Sequence, residues 1–170
     1  MPKGLKQTSS IITIGARVIE SAVDTFTEQR VDLQLNPLDN EVFVVLAVNL
    51  DCGAPDLAVT KDSSTAMTMT TTSQTTLPPL SNSAVIAKAE KAIRCDPIQN
   101  VAVAFQEQFV EAPSGMLDYI GIIATNDFFL QLRGNNNVGA KTGSAKVYGY
   151  RAKAEASTYA ALVQSEVLTA

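Results

Sequence analysis

Short apolar stretches that end at turn-forming residues recur along most of the chain. In one of them Val31, Leu33 and Leu35 alternate with polar residues, and Asn36-Pro37 ends the stretch. Residues 42–48 are all apolar and rich in valine, and a run this short predicts a strand covered on both faces rather than a helix. Further strands are predicted at residues 101–109, 118–125, 128–133 and 144–152. Because helices do not alternate regularly with these strands, the pattern indicates a β-sandwich or barrel.

Three other segments have different patterns. Residues 65–76 hold seven threonines among twelve residues, and β-branched threonine favours an edge strand over the alternative, an exposed linker. Residues 84–94 are rich in alanine, lysine and glutamate, which predicts a helix that Asp96-Pro97 ends. A second helix is predicted at residues 155–168, where four apolar residues share one side: Tyr159, Leu162, Val163 and Val167.

The first 24 residues form a stretch that needs a partner surface. Its apolar residues recur at helical spacing: Ile11, Ile14, Val18 and Ile19. The alternating set that begins at Ile12 fits a strand nearly as well. One short apolar stripe between polar ends has to be covered, either by its own domain or by another copy. We therefore predict an N-terminal arm whose apolar residues take part in assembly.

The composition excludes several kinds of chemistry. The 170 residues include no histidine, so Ser-His-Asp catalysis, Cys-His catalysis and histidine-based metal sites are impossible. There are 13 basic and 17 acidic side chains, and the resulting net charge of −4 argues against general nucleic-acid binding. No apolar run approaches the roughly 20 residues that a membrane-spanning helix needs. We predict no cofactor, no metal and no enzymatic activity.

The two cysteines, Cys52 and Cys95, do not form a CxxC pair. A zinc site with four cysteine ligands is impossible with two cysteines. One disulfide is allowed, but two buried free thiols are favoured.

A group of three asparagines, Asn135, Asn136 and Asn137, is one candidate for a recognition surface. Together with Asn126-Asp127 they offer oxygen ligands of the kind that calcium accepts. Turn chemistry explains the same residues without an ion and is favoured, because asparagine, aspartate and glycine tolerate the backbone conformations of tight turns.

Three tyrosines, Tyr148, Tyr150 and Tyr159, are the other candidate. Tyrosine is enriched at interfaces because it combines a large apolar ring with a hydroxyl group. Ordinary half-buried positions explain these residues equally well. With the three asparagines, they make up the predicted interface or ligand surface.

Residues 117–130 read LDYIGIIATNDFFL and are followed by Gly134-Asn135-Asn136 and by VYGYRA at residues 147–152. These stretches look like late strands of virus-encoded structural proteins. With a short arm, a strand-rich body, a threonine-rich segment and a short tail, the chain resembles virion proteins of the small single jelly-roll type. The resemblance lies in the general pattern of strands and loops over residues 26–170. The chain departs from many RNA-virus capsids because it has no strongly basic arm, which puts direct binding of a genome in doubt.

The pattern predicts an all-β fold, a single jelly-roll-like β-sandwich with short helical segments. We expect a sandwich domain at residues 25–154 between an arm at 1–24 and a tail at 155–170. The resemblance implies a capsid protein of the virion that assembles with itself, and possible contact with other virion proteins. The alternative is a ligand-binding β-sandwich, either lectin-like or a decoration or receptor-binding module.

Overall fold

The computed structural model describes residues 4–58, 60–96, 98, 101–106, 110–112 and 117–168. Its strands are β1 (Leu5–Gln7), β2 (Ile12–Ile19), β3 (Thr27–Asp32), β4 (Glu41–Cys52), β5 (Ser63–Thr70), β6 (Val85–Asp96), β7 (Val101–Gln106), β8 (Val110–Glu111), β9 (Gly121–Ile123), β10 (Asp127–Asn135) and β11 (Thr142–Ala154). A short 3-10 helix spans Pro37–Asp39, and the helix α1 spans Ala156–Leu168. The strand predicted at 101–109 ends at Gln106, and residues 107–109 lie outside the described residues.

The strands form two antiparallel sheets. In the first sheet β11 lies between β4 and the two strands β1 and β2, while β8 and β9 pair with the other side of β4. The second sheet has the order β3-β10-β5-β6-β7. Eight strands remain when β1, β7 and β8 are set aside. Along these eight strands the chain crosses to the other sheet at each connection but one, since only β5 and β6 follow one another within the same sheet. This path is a jelly roll, and the predicted all-β sandwich is confirmed.

The core lies between the two sheets, and β4 has apolar contacts on both faces. Phe43 and Val48 of β4 belong to the same buried cluster as Phe128 of β10. Val42 and Val44 belong to a second cluster, which lies under α1. The strand predicted at residues 42–48 is therefore confirmed, together with its cover on both faces.

Residues 84–94 lie largely in the strand β6, and the predicted helix is wrong. β6 pairs with β5 on one side and with β7 on the other. Its Ala87 and Ala89 are buried in the core at the period of two that a strand requires. Helix propensities differ by no more than about 0.7 kcal/mol per ordinary residue, and strand pairing on both sides outweighs them.

The threonine-rich segment overlaps β5 at residues 65–70, but β5 is not an edge strand. It lies between β10 and β6 in the second sheet, and its Thr68 and Thr70 are buried. Both hydroxyl groups hydrogen-bond to Gln131 of β10, and the Thr70 hydroxyl also donates to the Thr72 carbonyl oxygen at 2.7 Å. The predicted strand is confirmed for residues 65–70 and does not extend to 76, whereas its edge position is wrong because neighbouring strands flank it on both sides.

The predicted arm contributes two strands to the sandwich. β1 and β2 both pair with β11, so this stretch is a sheet edge rather than a helix. Val18 is buried in the core and Ile14 packs against it, whereas Ile11 and Ile19 are exposed. Its own domain thus covers part of the apolar stripe. The boundary at residue 25 and the role in assembly stay predictions.

The helix predicted near the C-terminus is confirmed as α1. Tyr159, Leu162 and Val163 pack against the cluster that contains Val42 and Val44 on the outer face of the first sheet. Val167 was expected on the same side, but it is exposed. The buried carboxylate of Glu166, one residue earlier, faces the sheet instead.

Both cysteines are free thiols, as predicted, but only one of the two is buried. Cys52 is buried, and burial raises the pKa of its thiol. Cys95 is half-buried, and its thiol donates to the Ala58 carbonyl oxygen at 3.1 Å.

Candidate functional site

Carboxylates from distant parts of the chain bind the loop between β10 and β11. Glu20, just after β2, is buried and accepts the backbone N–H of Gly134 and, at 2.7 Å, that of Lys141. Asp24 accepts the backbone N–H of Asn137 at 3.1 Å. These side chains satisfy backbone donors that the loop cannot satisfy itself.

Asp56 completes the set of carboxylates around this loop. Its Oδ2 accepts the backbone N–H groups of Val138 and Gly139 at 2.9 and 3.1 Å. Its Oδ1 lies 2.7 Å from the Lys141 ammonium group. The hydrogen bond to Lys141, followed by the two N–H groups, lowers the pKa of Asp56 to about 2. The loop is thereby fixed to the chain segment that follows β4.

The predicted asparagines have structural partners in the same loop. The Asn137 side-chain amide donates to the Ser64 carbonyl oxygen at 2.9 Å, and its carbonyl accepts the Asp56 N–H at 2.9 Å. Asn136 has a left-handed backbone with φ of 54° and donates to the Asp62 carbonyl oxygen. Asn135 is exposed at the end of β10. In the described part of the chain, no group of three or more cysteines and carboxylates is arranged to hold a metal ion.

The structure does not bring the predicted tyrosines to the asparagine loop. Tyr150 is buried, and Tyr159 packs against the same cluster beneath α1. Tyr148 is half-buried on β11. Tyr150 lies eight residues beyond Thr142, where β11 begins after the loop, and this separation corresponds to about 26 Å along a strand.

The inner side of α1 carries the buried carboxylate of Glu166, which is 6% exposed. Its two oxygens accept the backbone N–H groups of Ala124 at 2.8 Å and Thr125 at 3.0 Å. Burial raises the pKa of Glu166, and these two hydrogen bonds partly oppose the rise. The carboxylate therefore fastens the helix to the connection between β9 and β10.

A second polar group lies on the outer face of the second sheet. The Gln131 side chain of β10 accepts from the Thr68 hydroxyl and donates to Glu28 of β3 at 2.9 Å. Glu28 also accepts from the Ser73 hydroxyl at 2.6 Å and from the Gln74 N–H at 2.8 Å. This network fixes the segment that follows β5 against β3 and β10.

The strand β7 has a different character from these polar groups. All six of its residues are exposed, and none is charged. Val101, Val103 and Phe105 alternate along it and are 52, 51 and 56% exposed. An open depression of about 530 Å³ lies beside Phe105, between Glu90 and Arg94 of β6. Among the described residues, exposed apolar side chains on a strand that pairs on one side only are the feature best suited to binding another protein.

Sequence reasoning missed the fastening carboxylates and the open strand edge. Glu166 had a detectable signal, since it follows Val163 by three residues and thus lies within the apolar stripe of α1. Glu20, Asp24 and Asp56 had none, because their partners are backbone groups more than 80 residues away. The edge position of β7 depends on the strand order, which no local pattern contains.

Comparison with known proteins gives little. No protein-family profile and no curated protein sequence matches the chain. A solved structure from Desmodium yellow mottle tymovirus is 9% identical, with a TM-score of 0.26, over 92% of this chain and 96% of that chain. A TM-score this low carries no argument about function. No helix in the described ranges is long and apolar enough to cross a membrane.

Proposed function

We propose that this protein is a non-enzymatic structural protein of a virion, a capsid protein that assembles with copies of itself into a shell. Contacts between jelly-roll bodies and terminal segments hold the copies together, and other virion proteins are further partners. Direct contact with nucleic acid is weak or absent, in keeping with the net charge of −4.

The observation that supports this proposal is the placement of polar and apolar side chains. The buried carboxylates Glu20 and Glu166 bind the backbone of their own chain. They do not converge on a cleft where a substrate could react. Large apolar side chains, in contrast, remain on the surface, and three of them, Val101, Val103 and Phe105, alternate along β7. A body whose buried carboxylates are satisfied by its own backbone and whose apolar edge is exposed suits a building block.

The alternative, a ligand-binding module, has less support. Its candidates are the loops at Asn126-Asp127 and Asn135–Asn137, and in the second loop the amide of Asn137 is already hydrogen-bonded to Ser64 and Asp56. Tyr150, which was to provide an aromatic surface, is buried beneath α1. Sugar sites depend on exposed amides and exposed rings, and these two residues provide neither.

Sedimentation velocity and negative-stain electron microscopy of the purified full chain test the proposal. We expect large oligomers or closed particles. A single monomer boundary at high protein concentration would exclude a shell. A glycan-binding screen with and without calcium tests the alternative in the same preparation, and specific saturable binding by monomers would favour it.

A further inference from the structure

Among the residues that the structure describes, β7 is the last strand of the second sheet and its outer edge is open. Hydrogen-bond pairing joins it to β6, and no strand pairs with its other side in the part of the chain that the structure describes. Every side chain from Val101 to Gln106 is exposed, so both faces of the strand are accessible as well as its edge. The backbone N–H and C=O groups on that edge can pair with another strand.

Nothing in the sequence of β7 protects this edge. Soluble proteins usually guard an exposed edge strand with lysine, proline, a bulge or an inward-pointing charge. The six residues VAVAFQ contain no charge and no proline, and the ladder with β6 is regular along its whole length. An edge of this kind is suited to pairing in the assembled state.

We infer that β7 pairs with β7 of a second copy, antiparallel and about a two-fold axis at Val103, so that the second sheets of two copies form one continuous sheet. The inference rests on the proposed function, because it names one contact through which the copies assemble. A two-fold axis requires a self-complementary strand. The apolar residues Val101 and Phe105 lie at equal distances on either side of Val103, which meets that requirement.

The two faces of the sheet fix the register. Residues directly opposite each other in an antiparallel pair point to the same face. With Val103 opposite Val103 of the second copy, Val101 lies opposite Phe105, and all three large apolar side chains of each copy have a large apolar partner. A shift by one residue would place apolar residues on opposite faces. A shift by two would leave Val101 or Phe105 without a partner from β7.

Charge also favours a second copy as the occupant. The side chains that would lie directly opposite one another are all uncharged, so two molecules of net charge −4 meet here without like charges in contact. The charged residues Arg94 and Asp96 lie one strand away, beside Val103 and Val101 respectively.

The size of the contact explains how it would operate. A standard stable interface has about 20–30 residues on each side. One six-residue strand and its neighbours supply far fewer. The pairing alone is therefore weak in dilute solution, and it becomes populated when other contacts hold the copies at high effective concentration. We expect it inside assembled particles.

Site-directed cross-linking tests the register directly, in a Cys95→Ser background that removes the accessible native thiol. The variant Val103→Cys places two cysteines opposite each other across the axis, at a Cα separation of about 4.5–5.5 Å that a disulfide can bridge. Ala102→Cys and Ala104→Cys are the matched controls. In this register residue 102 of one copy lies opposite residue 104 of the other copy. Two copies of the same control variant therefore cannot form the disulfide, whereas a mixture of the two variants can.

We expect assembled Val103→Cys particles to yield disulfide-linked dimers under mild oxidation, while particles of either control alone stay uncross-linked. Dimers from Ala102→Cys or Ala104→Cys alone, at the same yield, would overturn the register. Particles of Val103→Cys without cross-links would overturn the pairing but leave the shell function intact. Cross-linked dimers that never form larger particles would support the pairing and contradict the shell function.

A charge at the axis provides a second test. Val103→Lys places two ammonium groups opposite each other, and like charges brought together at an interface repel each other. We expect the protein concentration needed for assembly to rise at least about tenfold. Leu38→Lys makes the same change in charge at a position that is 93% exposed. It should leave the protein concentration needed for assembly unaltered. Circular dichroism verifies that both variants fold, and normal assembly of Val103→Lys would overturn the inference.

Discussion

Gly149 occupies a position where the sandwich leaves no room for a side chain. It follows a break in the register between β11 and β4, and a Cβ atom there would overlap the Val44 carbonyl oxygen and the Phe43 ring. Neither group can move easily, because both belong to β4 and Phe43 is buried. We predict that Gly149→Ala lowers the free energy of unfolding by about 1–3 kcal/mol, the usual range for overpacking. Urea denaturation measures the change.

Gly15 provides the control for this substitution. It lies on β2, and a Cβ atom added to it meets nothing within 4 Å. Glycine within a strand is destabilising relative to alanine, so Gly15→Ala should leave stability unchanged or raise it slightly. Equal losses in the two variants would show that the close approach at Gly149 is not the cause.

The low pKa of Asp56 leads us to expect that the protein loses stability in acid. Because its folded-state pKa of about 2 is below the ordinary value of 3.8, its stabilising contribution is present above pH 3.8 and is lost as the pH falls through 2. We predict that wild type has a higher Tm than Asp56→Asn at pH 5 and that this difference shrinks between pH 4 and 2. Thermal unfolding across this range measures it.

Asp51→Asn is the matched control for Asp56→Asn. Asp51 also forms an ion pair, with Lys91 at 2.9 Å, but its side chain is 75% exposed. An exposed pair of this kind contributes little to stability. If the difference between wild type and Asp56→Asn stays constant from pH 4 to 2, the hydrogen bonds to Val138 and Gly139 do not depend on the ionised carboxylate.

At the scale of the elements, sequence reasoning succeeded where the signal is local. The apolar run of β4 and the alternation in β10 identify strands because each residue type already fits a covered pleated surface. It failed for β6, where alanine, lysine and glutamate favour a helix locally and the decisive contacts are with β5 and β7. Such pairing between separate segments cannot be read from a single stretch of sequence.

The same limit applies to the candidate site. The asparagine loop was predicted as a turn, and its left-handed Asn136 agrees with that interpretation. The carboxylates that bind it come from the segments after β2 and β4. Only the folded topology brings these segments to one end of the sandwich, so the sequence could identify the loop but not its partners.

The raised pKa of Glu166 leads us to expect that its contribution to stability, through the contact of α1 with the first sheet, depends on pH. Its folded-state pKa is raised above 4.5 by burial, so its contribution to stability is present below pH 4.5 and is lost as the pH rises through the folded-state pKa. We predict that wild type gains Tm relative to Glu166→Gln as the pH falls from 7 to 4.5. Asp56 does not contribute to this change, because its own loss occurs at lower pH.

Glu155→Gln is the control for this experiment. Glu155 precedes α1 and is exposed. The difference in Tm between wild type and Glu155→Gln should therefore be the same at pH 7 and at pH 4.5. If the Tm of Glu166→Gln and the Tm of wild type change with pH in parallel, the buried carboxylate does not cause the pH dependence.

At the scale of the whole molecule, charge and apolar surface suggest what drives assembly. The chain has 17 acidic and 13 basic side chains, so copies repel one another modestly at neutral pH. The surface best suited to contact, β7, carries no charge. Assembly would therefore depend on apolar burial and backbone pairing, with electrostatics as an opposing contribution. Lattices held by ion pairs or by a nucleic acid have the opposite dependence on salt.

Salt distinguishes these cases. Raising the ionic strength from 0.15 to 1 M shortens the screening length from about 8 to about 3 Å, which weakens repulsion between copies and leaves apolar contacts in place. We predict that nuclease-treated protein assembles equally well or better in 1 M NaCl, as measured by light scattering and sedimentation. Lys146→Glu, which changes the net charge from −4 to −6, should reduce assembly at low salt and recover at high salt. Particles that dissociate in 1 M NaCl, or that form only with added nucleic acid, would show that charge rather than apolar contact holds the copies together.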